Sequence, residues 1–152
     1  MTKIELLTII EAPVDICFDL ARSIDLHLDS MAQTGETAIA GTSSGLIGLN
    51  ESVTWRARHF GVWQSLTSKI TEFNYPHSFT DEMVSGAFKS MRHEHHFVQL
   101  KNQTLMKDVF IFQAPFGILG GFAEVLFLKK YMQRLFNSRN MHIKQKAELA
   151  GY

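Results

Sequence analysis

The stretch that decides the fold is residues 121–146, GFAEVLFLKKYMQRLFNSRNMHIKQK, near the end of the chain. On a helical wheel one broad arc of this stretch is apolar, and its members are Val125, Phe127, Leu128, Tyr131, Met132, Leu135 and Phe136. The opposite arc is polar and contains Lys129, Lys130, Gln133, Arg134 and Asn137. This pattern predicts a long amphipathic helix over 121–146 that buries one side against the rest of the protein.

The segment before this helix, from about residue 34 to 114, alternates with a period of two, which is typical of strands. In ESVTWRARHF (51–60), Trp55, Ala57 and His59 share one face, while Arg56 and Arg58 share the other. Further alternating runs follow, and KNQT (101–104) between the last two predicts a hairpin turn. We therefore expect about six strands in an antiparallel sheet.

The N-terminal part adds one strand and two short helices. Residues 3–11 are rich in β-branched and apolar side chains, and Pro13 suits the first turn of a helix because it lacks a backbone N–H. A second short helix is predicted over about 25–31. The order of strand, two short helices, six strands and one long helix predicts an α+β fold in which a curved sheet wraps the last helix.

Composition restricts the class of protein. The 152 residues fit a single domain, 1–152, and 15 basic residues balance 15 acidic ones, so no electrostatic surface for nucleic acid is expected. Twelve phenylalanines indicate a large core, an apolar pocket, or both. No signal peptide and no integral membrane segment is predicted, and the single cysteine, Cys17, fits a reducing compartment such as the cytoplasm.

Three stretches resemble the START-like helix-grip superfamily, also called SRPBCC, which includes polyketide cyclases and lipid-transfer domains. They are IIEAPVDICFDLARSIDLH (9–27), FTDEMVSGAFKSMRHEHHF (79–97) and DVFIFQAPFGILGGFAEVLFLKKYMQRLF (108–136), and the last two resemble an uncharacterised bacterial branch. The resemblance implies a cavity between a curved, seven-stranded antiparallel sheet and the C-terminal helix. No catalytic motif of the superfamily is matched residue by residue.

The histidine-rich stretch SMRHEHHFVQL (90–100) contains three histidines in four positions. With a period of two, the charged set Arg92, Glu94 and His96 forms the natural solvent face. His93 and His95 then point into the cavity, about 7 Å apart along the strand. In the next strand Lys107 marks the outer face, which turns Asp108 inward together with Met106, Phe110 and Phe112.

The pattern predicts an inward polar cluster of His59, His93, His95 and Asp108 in an aromatic pocket. Such a set could coordinate a metal, act as an acid/base pair oriented by Asp108, or orient a ligand by hydrogen bonds. We favour the third role, and expect no metal and no other cofactor, because no further cysteine or closely spaced carboxylate completes a metal site. Replacing His95 with Phe is then expected to lower affinity for a polar-tipped ligand more than stability.

The leading functional hypothesis is the binding of a hydrophobic small molecule, such as a lipid, an isoprenoid or a polyketide-like ring. The predicted ligand-binding residues are Trp55, His59, Trp63, Phe88, Met91, His93, His95, Phe97, Asp108, Phe110, Phe112 and Met132. One alternative is a cyclase or dehydratase that uses a cavity histidine as acid or base, although catalytic residues are unassigned and an enzyme is the less favoured class. Another is an interaction module with a filled core; a homodimer or a partner enzyme is compatible with each hypothesis.

The segment APFGILGGFAEVLF (114–127) predicts a mobile lip through which the ligand passes. Gly117, Gly120 and Gly121 give the backbone conformational freedom in the connection between the last strand and the helix. Phe122 and Leu126 lie on the polar arc of the predicted helix, where burial against the sheet does not explain them. The alternative is that the first helical turn is irregular and turns Phe122 inward.

Overall fold

The computed structural model describes residues 1–114 and 122–151. It confirms the α+β helix-grip architecture, in which one antiparallel sheet of seven strands curves around a long C-terminal helix. The strands are β1 Thr2–Ile10, β2 Thr37–Gly41, β3 Ser52–His59, β4 Val62–Asn74, β5 Ser78–Gly86, β6 Ser90–Leu100 and β7 Gln103–Gln113. Their order across the sheet is β1-β7-β6-β5-β4-β3-β2.

Helices α1 Val14–Ala21 and α2 Ile24–Ser30 follow β1, and the 3-10 turn Ala32–Thr34 leads into β2. Ser23 separates the two helices, and its hydroxyl oxygen accepts a hydrogen bond of 3.2 Å from the backbone N–H of Leu26. This N-cap satisfies one of the backbone donors that a helix start leaves free. The chain therefore ends one helix and begins the next with only a two-residue break.

The C-terminal helix α3 spans Phe122–Ala150, four residues beyond the predicted end at 146. Ile143 and Ala147 explain the extension, because both are fully buried one helical turn apart. Residues 115–121 of the predicted lip (114–127) lie outside the described residues. Within the described ranges, no helix combines the length and apolar character that crossing a membrane requires.

The β6–β7 hairpin sets the register of the histidine strand. Leu100 pairs with Gln103 at its tip, and the pairing continues without interruption to Ser90 opposite Gln113. Because paired residues share a face, His93 lies beside Phe110 and His95 beside Asp108. The predicted inward face of both strands follows from this register.

The β3–β4 hairpin turns over only two residues, Phe60 and Gly61, and both have positive φ angles, of 54° and 76°. Glycine adopts this conformation without strain, whereas a bulky side chain does so rarely. The ring of Phe60 lies 4.4 Å from that of Tyr131 and 5.5 Å from that of Phe127, measured between centroids. The hairpin tip is thus fastened to α3 by aromatic contacts.

The core consists of two apolar clusters. The larger cluster packs α1 and α2 on the sheet around Phe18, whose ring makes edge or tilted contacts with Phe73, Phe79 and Phe97. The smaller cluster joins β1, β6, β7 and α3 through the buried side chains Ile4, Met91, Phe110, Phe112 and Phe136. Next to this smaller cluster the sheet and helix enclose a space that the described side chains do not fill.

Candidate functional site

A cavity of about 430 Å³ lies between the concave face of the sheet and α3. Its wall is mainly apolar, and the larger apolar side chains are Met31, Trp55, Phe60, Leu66, Phe88, Met91, Phe110, Val125, Phe127, Leu128, Met132, Leu135 and Phe136. A smaller number of polar side chains also reach it: His27, Glu36, His59, Gln64, Ser65, Ser68, Asp81, His93 and Tyr131. An apolar wall with a few convergent polar groups is typical of small-molecule sites.

Most of the sequence-predicted site residues line this cavity: Trp55, His59, Phe88, Met91, His93, Phe110 and Met132. Trp63 does not, and its placement in the site is wrong. It pairs with Arg58 across the β3–β4 hairpin and therefore shares the outer face with the two arginines. Its side chain is 48% exposed, and the guanidinium carbon of Arg56 stacks 4.5 Å from the centroid of its ring.

Four other predicted residues face inward but lie behind the cavity wall. Phe97 packs against Phe18, and Phe112 is fully buried in the smaller cluster. His95 and Asp108 are also buried, and neither belongs to the lining. The period of two correctly gives the direction of these side chains but not their depth. Asp108 in particular is too far behind the wall to orient a ligand directly.

Asp108 instead anchors a buried polar network between the sheet and α3. His93 Nε2 donates to its Oδ1 over 2.9 Å, and Asn140 Nδ2 donates to its Oδ2 over 2.8 Å. Arg139 Nη1 lies 3.4 Å from Oδ1, and the second amino group of the guanidinium donates to the backbone carbonyl of Ala21 over 3.1 Å. The network therefore ties β6, β7, α1 and α3 together.

His95 bridges two carboxylates in this network. Its Nε2 lies 2.9 Å from Asp81 Oδ1, and its Nδ1 lies 3.3 Å from Asp108 Oδ1. Nε2 donates a hydrogen bond to Asp81, whereas Nδ1 lies close to Asp108 without forming one, and the two nearby carboxylates favour the imidazolium form of the ring. The ring of Phe79 stacks on that of His95 at 4.1 Å between centroids, a contact that suits a cation.

The pKa shifts agree with these protonation states. Burial alone would lower the pKa of His95, but the neighbouring carboxylates of Asp108 and Asp81 raise that pKa above its ordinary value. Burial and the charge on His95 lower the pKa of His93 to about 4. For Asp108, burial acts to raise the pKa, yet the two histidines and Arg139 hold it well below its usual range. Arg139 and the raised pKa of His95 thus offset the two carboxylates, while the low pKa of His93 leaves that ring neutral at neutral pH.

A metal site is the remaining chemical option for this cluster. In the described part of the chain, Asp81, His93 and His95 have donor atoms that all lie within 4.8 Å of one another. The Nε2 atoms of both histidines already donate to carboxylates, and an arginine belongs to the same network. A cation would have to displace these protons beside a fixed positive charge, which disfavours its binding.

A second polar group lies beside the rim of the cavity. His59 Nδ1 and the hydroxyl of Tyr131 are 2.6 Å apart, and His27 Nε2 is 3.2 Å from Glu36 Oε2. Burial lowers the pKa of His59 and raises that of Tyr131, so the pair is uncharged at neutral pH. Because either partner can donate the shared hydrogen bond, the pair can offer a ligand a donor or an acceptor.

Three of these residues, Arg139, Asn140 and His27, are not among the site residues that the sequence pattern predicts. The signal for Arg139 and Asn140 was the interruption of the apolar arc of α3 by two polar residues just after Phe136. No such local signal exists for His27, whose ring packs 4.2 Å from that of Trp55 only because α2 folds over β3.

The fold occurs in many solved structures. A protein from Thermus thermophilus matches with a TM-score of 0.79 at 16% identity, covering 99% of this chain and 100% of that one. A START superfamily protein from Mycobacterium smegmatis matches with a TM-score of 0.73 at 9% identity, covering 97% of this chain and 98% of that chain. The major latex-like protein 151 of Panax ginseng matches at 0.68 and 16% identity, covering 96% and 97%.

The sequence matches no protein-family model, and the search of curated proteins found no relative. At these identities the structural matches establish the fold and nothing more. The chain has the START/SRPBCC-like helix-grip fold that its sequence resembles.

Proposed function

We propose that this protein, as a single domain over residues 1–152, binds an apolar small molecule in the cavity between the sheet and α3. The observation that carries the proposal is the cavity itself, whose volume of about 430 Å³ lies within the range of small-molecule sites. A lipid, an isoprenoid or a polyketide-like ring has the required apolar surface. The START-like fold supports this class of ligand, since lipid-transfer domains share it.

The size of the cavity also weighs against the interaction-module hypothesis. A module that serves only as a partner surface has no use for an unfilled interior, because unfilled apolar space costs stability. The cavity of about 430 Å³ exceeds the roughly 300 Å³ at which ligand sites begin. A homodimer or a partner enzyme stays a prediction, as does a reducing compartment such as the cytoplasm.

The cyclase or dehydratase hypothesis needs a cavity base whose pKa lies near the working pH. His93 is oriented by a carboxylate, as such a base would be, but its pKa of about 4 makes it a weak base at neutral pH. This favours binding over proton transfer as the role of the histidine. Turnover of a substrate with a bell-shaped pH profile would support the enzyme instead.

The intrinsic fluorescence of Trp55 provides a direct binding test. The chain has two tryptophans, and Trp63 lies on the outer face, so the variant Trp63→Phe leaves Trp55 in the cavity as the only reporter. Titration with pyrene, an uncharged apolar probe, should quench Trp55 in a saturable way. Unaltered Trp55 emission at every pyrene concentration would contradict the proposal.

A matched pair of variants separates the cavity from the surface. Ala57 is buried in the cavity wall, so Ala57→Phe in the Trp63→Phe background fills part of the space and should abolish saturable quenching. Ala40 is an exposed residue of β2, and Ala40→Phe should leave quenching unchanged. Native mass spectrometry of protein purified without added ligand would then identify any natural occupant that co-purifies.

The absence of a required metal stays a prediction, supported by the hydrogen bonds that already engage Asp81, His93 and His95. Elemental analysis of the purified protein should find no stoichiometric zinc or other transition metal. Pyrene binding should also be unchanged after treatment with a chelator. One equivalent of bound metal would show that the cluster coordinates an ion.

A further inference from the structure

We infer that the cavity selects an uncharged apolar ligand that carries a hydroxyl or another hydrogen-bond donor, which Nδ1 of His93 accepts. This inference rests on the proposed function and names the chemical class of its ligand. It follows from the direction of one hydrogen bond, from the charges around the cavity and from the position of His93 in the wall.

The hydrogen bonds of Asp108 define the tautomer of His93. Its Nε2 lies 2.9 Å from Oδ1 of Asp108, an oxygen that accepts hydrogen bonds and donates none when ionised. Asn140 and Arg139 donate to the same carboxyl group and keep it ionised. The proton on the imidazole therefore resides on Nε2, and Nδ1 carries the lone pair.

The Nδ1 atom of His93 has no partner among the described residues and is not sealed from solvent. The ring of His93 lines the cavity, and no described residue forms a hydrogen bond with its Nδ1. His93 Nδ1 is also not among the side-chain atoms that are both sealed from solvent and unpartnered, unlike Nδ1 of His95. The low pKa of His93 supports an unprotonated Nδ1 at neutral pH. The cavity wall thus presents one fixed acceptor, which a ligand donor can satisfy.

The charged groups around the cavity favour an uncharged ligand. The described lining contains two carboxyl groups, those of Glu36 and Asp81, and no lysine or arginine. An anionic ligand would enter an apolar space without a cation to offset its lost hydration. The carboxyl groups also offer little to a cationic ligand, because Asp81 is already paired with His95 and Glu36 lies beside His27. An uncharged ligand meets neither penalty.

The groups that surround His93 come from several elements and keep this arrangement fixed. Asp108 and Phe110 face it from β7, Asp81 is its cross-strand partner on β5, and Phe136 packs on it from α3. The ring of His95 is 3.8 Å away between centroids on the same strand. With apolar rings on two sides and a carboxylate behind it, the imidazole has no freedom to exchange its donor and acceptor atoms.

Four pyrene derivatives test the inference at pH 7 through quenching of Trp55 in the Trp63→Phe protein. 1-Hydroxypyrene donates a hydrogen bond, 1-methoxypyrene only accepts, pyrene-1-carboxylate is an anion, and pyrenemethylammonium is a cation. We expect 1-hydroxypyrene to bind about fivefold more tightly than 1-methoxypyrene, the effect of one neutral hydrogen bond of about 1 kcal/mol. Both ions should bind at least tenfold more weakly than 1-hydroxypyrene.

Two histidine variants on the same strand provide the control. His93→Leu should remove the preference for 1-hydroxypyrene, whereas His96→Leu, on the solvent face, should retain it. If His93→Leu does not fold, the relative affinities of the four pyrene derivatives for the protein that retains His93 test the inference. Equal affinity for the hydroxy and methoxy probes, a preference that survives in folded His93→Leu, or tightest binding of either ion would overturn the inference. In each of those cases binding of pyrene itself would leave the proposed function intact, whereas no binding of any probe would remove both.

Discussion

The role inferred for His95 changes once its position behind the cavity wall is known. It points inward, as the alternation of β6 predicts, yet it lies behind the cavity wall with a carboxylate beside each ring nitrogen. Its partners are Asp81 and Asp108, and together with Arg139 these groups form a buried set of facing charged side chains. A residue that completes such a set affects folding first and ligand affinity second.

We therefore expect His95→Phe to lower the free energy of unfolding by about 3–5 kcal/mol, because one buried carboxylate loses its cation. This reverses the expectation from sequence that affinity would suffer more than stability. Urea denaturation measures the first quantity, and pyrene titration of the remaining folded protein should show less than a twofold change. The control His96→Phe should change stability by under ~1 kcal/mol; a similarly small loss for His95→Phe would contradict the buried network.

The low pKa of His93 predicts how stability depends on pH. Its pKa is about 4 in the folded protein and about 6.5 in the unfolded chain, so between these values only the unfolded chain binds the proton. The contribution of His93 is complete above pH 6.5 and is lost as the pH falls to 4. His95 has the opposite sign: its contribution is present below pH 6.5 and is lost as the pH rises through its raised pKa.

In urea denaturation, the stability difference between the natural protein and His93→Gln should shrink by about 3 kcal/mol between pH 7 and pH 4. His96→Gln is the matched control, since His96 lies on the solvent face with 44% of its side chain exposed. Its difference from the natural protein should not show that decline. A constant difference for His93→Gln over this pH range would mean that His93 is not held neutral.

At the scale of single elements, the β3–β4 hairpin combines an unfavourable backbone with a favourable contact. Phe60 adopts a positive φ of 54°, a conformation that costs a bulky residue about 1–3 kcal/mol. Its ring packs on Tyr131 and Phe127 at the rim of the cavity while remaining 54% exposed. The hairpin tip thus forms a solvent-exposed part of the cavity wall, at the cost of local strain.

Phe60→Asn should accelerate the release of bound pyrene several-fold, because the solvent-exposed part of the cavity wall loses its ring. Stability should change by no more than about 1 kcal/mol, since asparagine tolerates positive φ and the relieved strain offsets the lost aromatic contacts. Stopped-flow fluorescence gives the release rate. Val62→Asn, at an exposed neighbouring position, is the control and should leave the rate unchanged. An unaltered rate in Phe60→Asn would place the route of release elsewhere.

The same hairpin shows what sequence could and could not predict. Local periodicity was sufficient for α3 and for the inward direction of His93, His95 and Asp108, because each pattern depends only on neighbouring residues. Trp63 was misplaced because its face depends on the register across the turn, where Arg58 is its partner. The length of the turn decides which residues of β4 lie opposite those of β3 and therefore share their face. The length of a turn is harder to predict from sequence than the presence of a strand.

At the scale of the whole molecule, the fold followed from the order of elements, whereas the site depended on contacts between distant parts of the chain. Arg139 and Asp108 are 31 residues apart, and Arg139 reaches the carbonyl of Ala21 over a separation of 118 residues. Sequence patterns mark an arginine as exposed by default, since a buried guanidinium needs partners that only the tertiary structure supplies. The cavity and the presence of polar groups in its apolar wall were thus predictable in kind, but the network behind the wall was not.

Ligand binding should stabilise the whole domain. Pyrene at 100 times its dissociation constant adds about 2.7 kcal/mol to the free energy of unfolding. For a domain of about 150 residues this corresponds to a rise in melting temperature of about 5–10 °C. Differential scanning calorimetry measures the shift, and Ala57→Phe should show none. An equal shift in both proteins would mean that pyrene binds outside the cavity.

Different residues hold the fold together and shape the cavity, and this separation has a consequence for redesign. Asp108, Arg139 and Asn140 hold α3 on the sheet without lining the cavity, whereas the half-buried Gln64 and Leu66 line it without joining the network. Substitutions at the second group can alter the shape of the binding space while the first group keeps the scaffold intact. A library restricted to such wall positions should yield new ligand preferences with few unfolded members, so that specificity can be evolved independently of the fold.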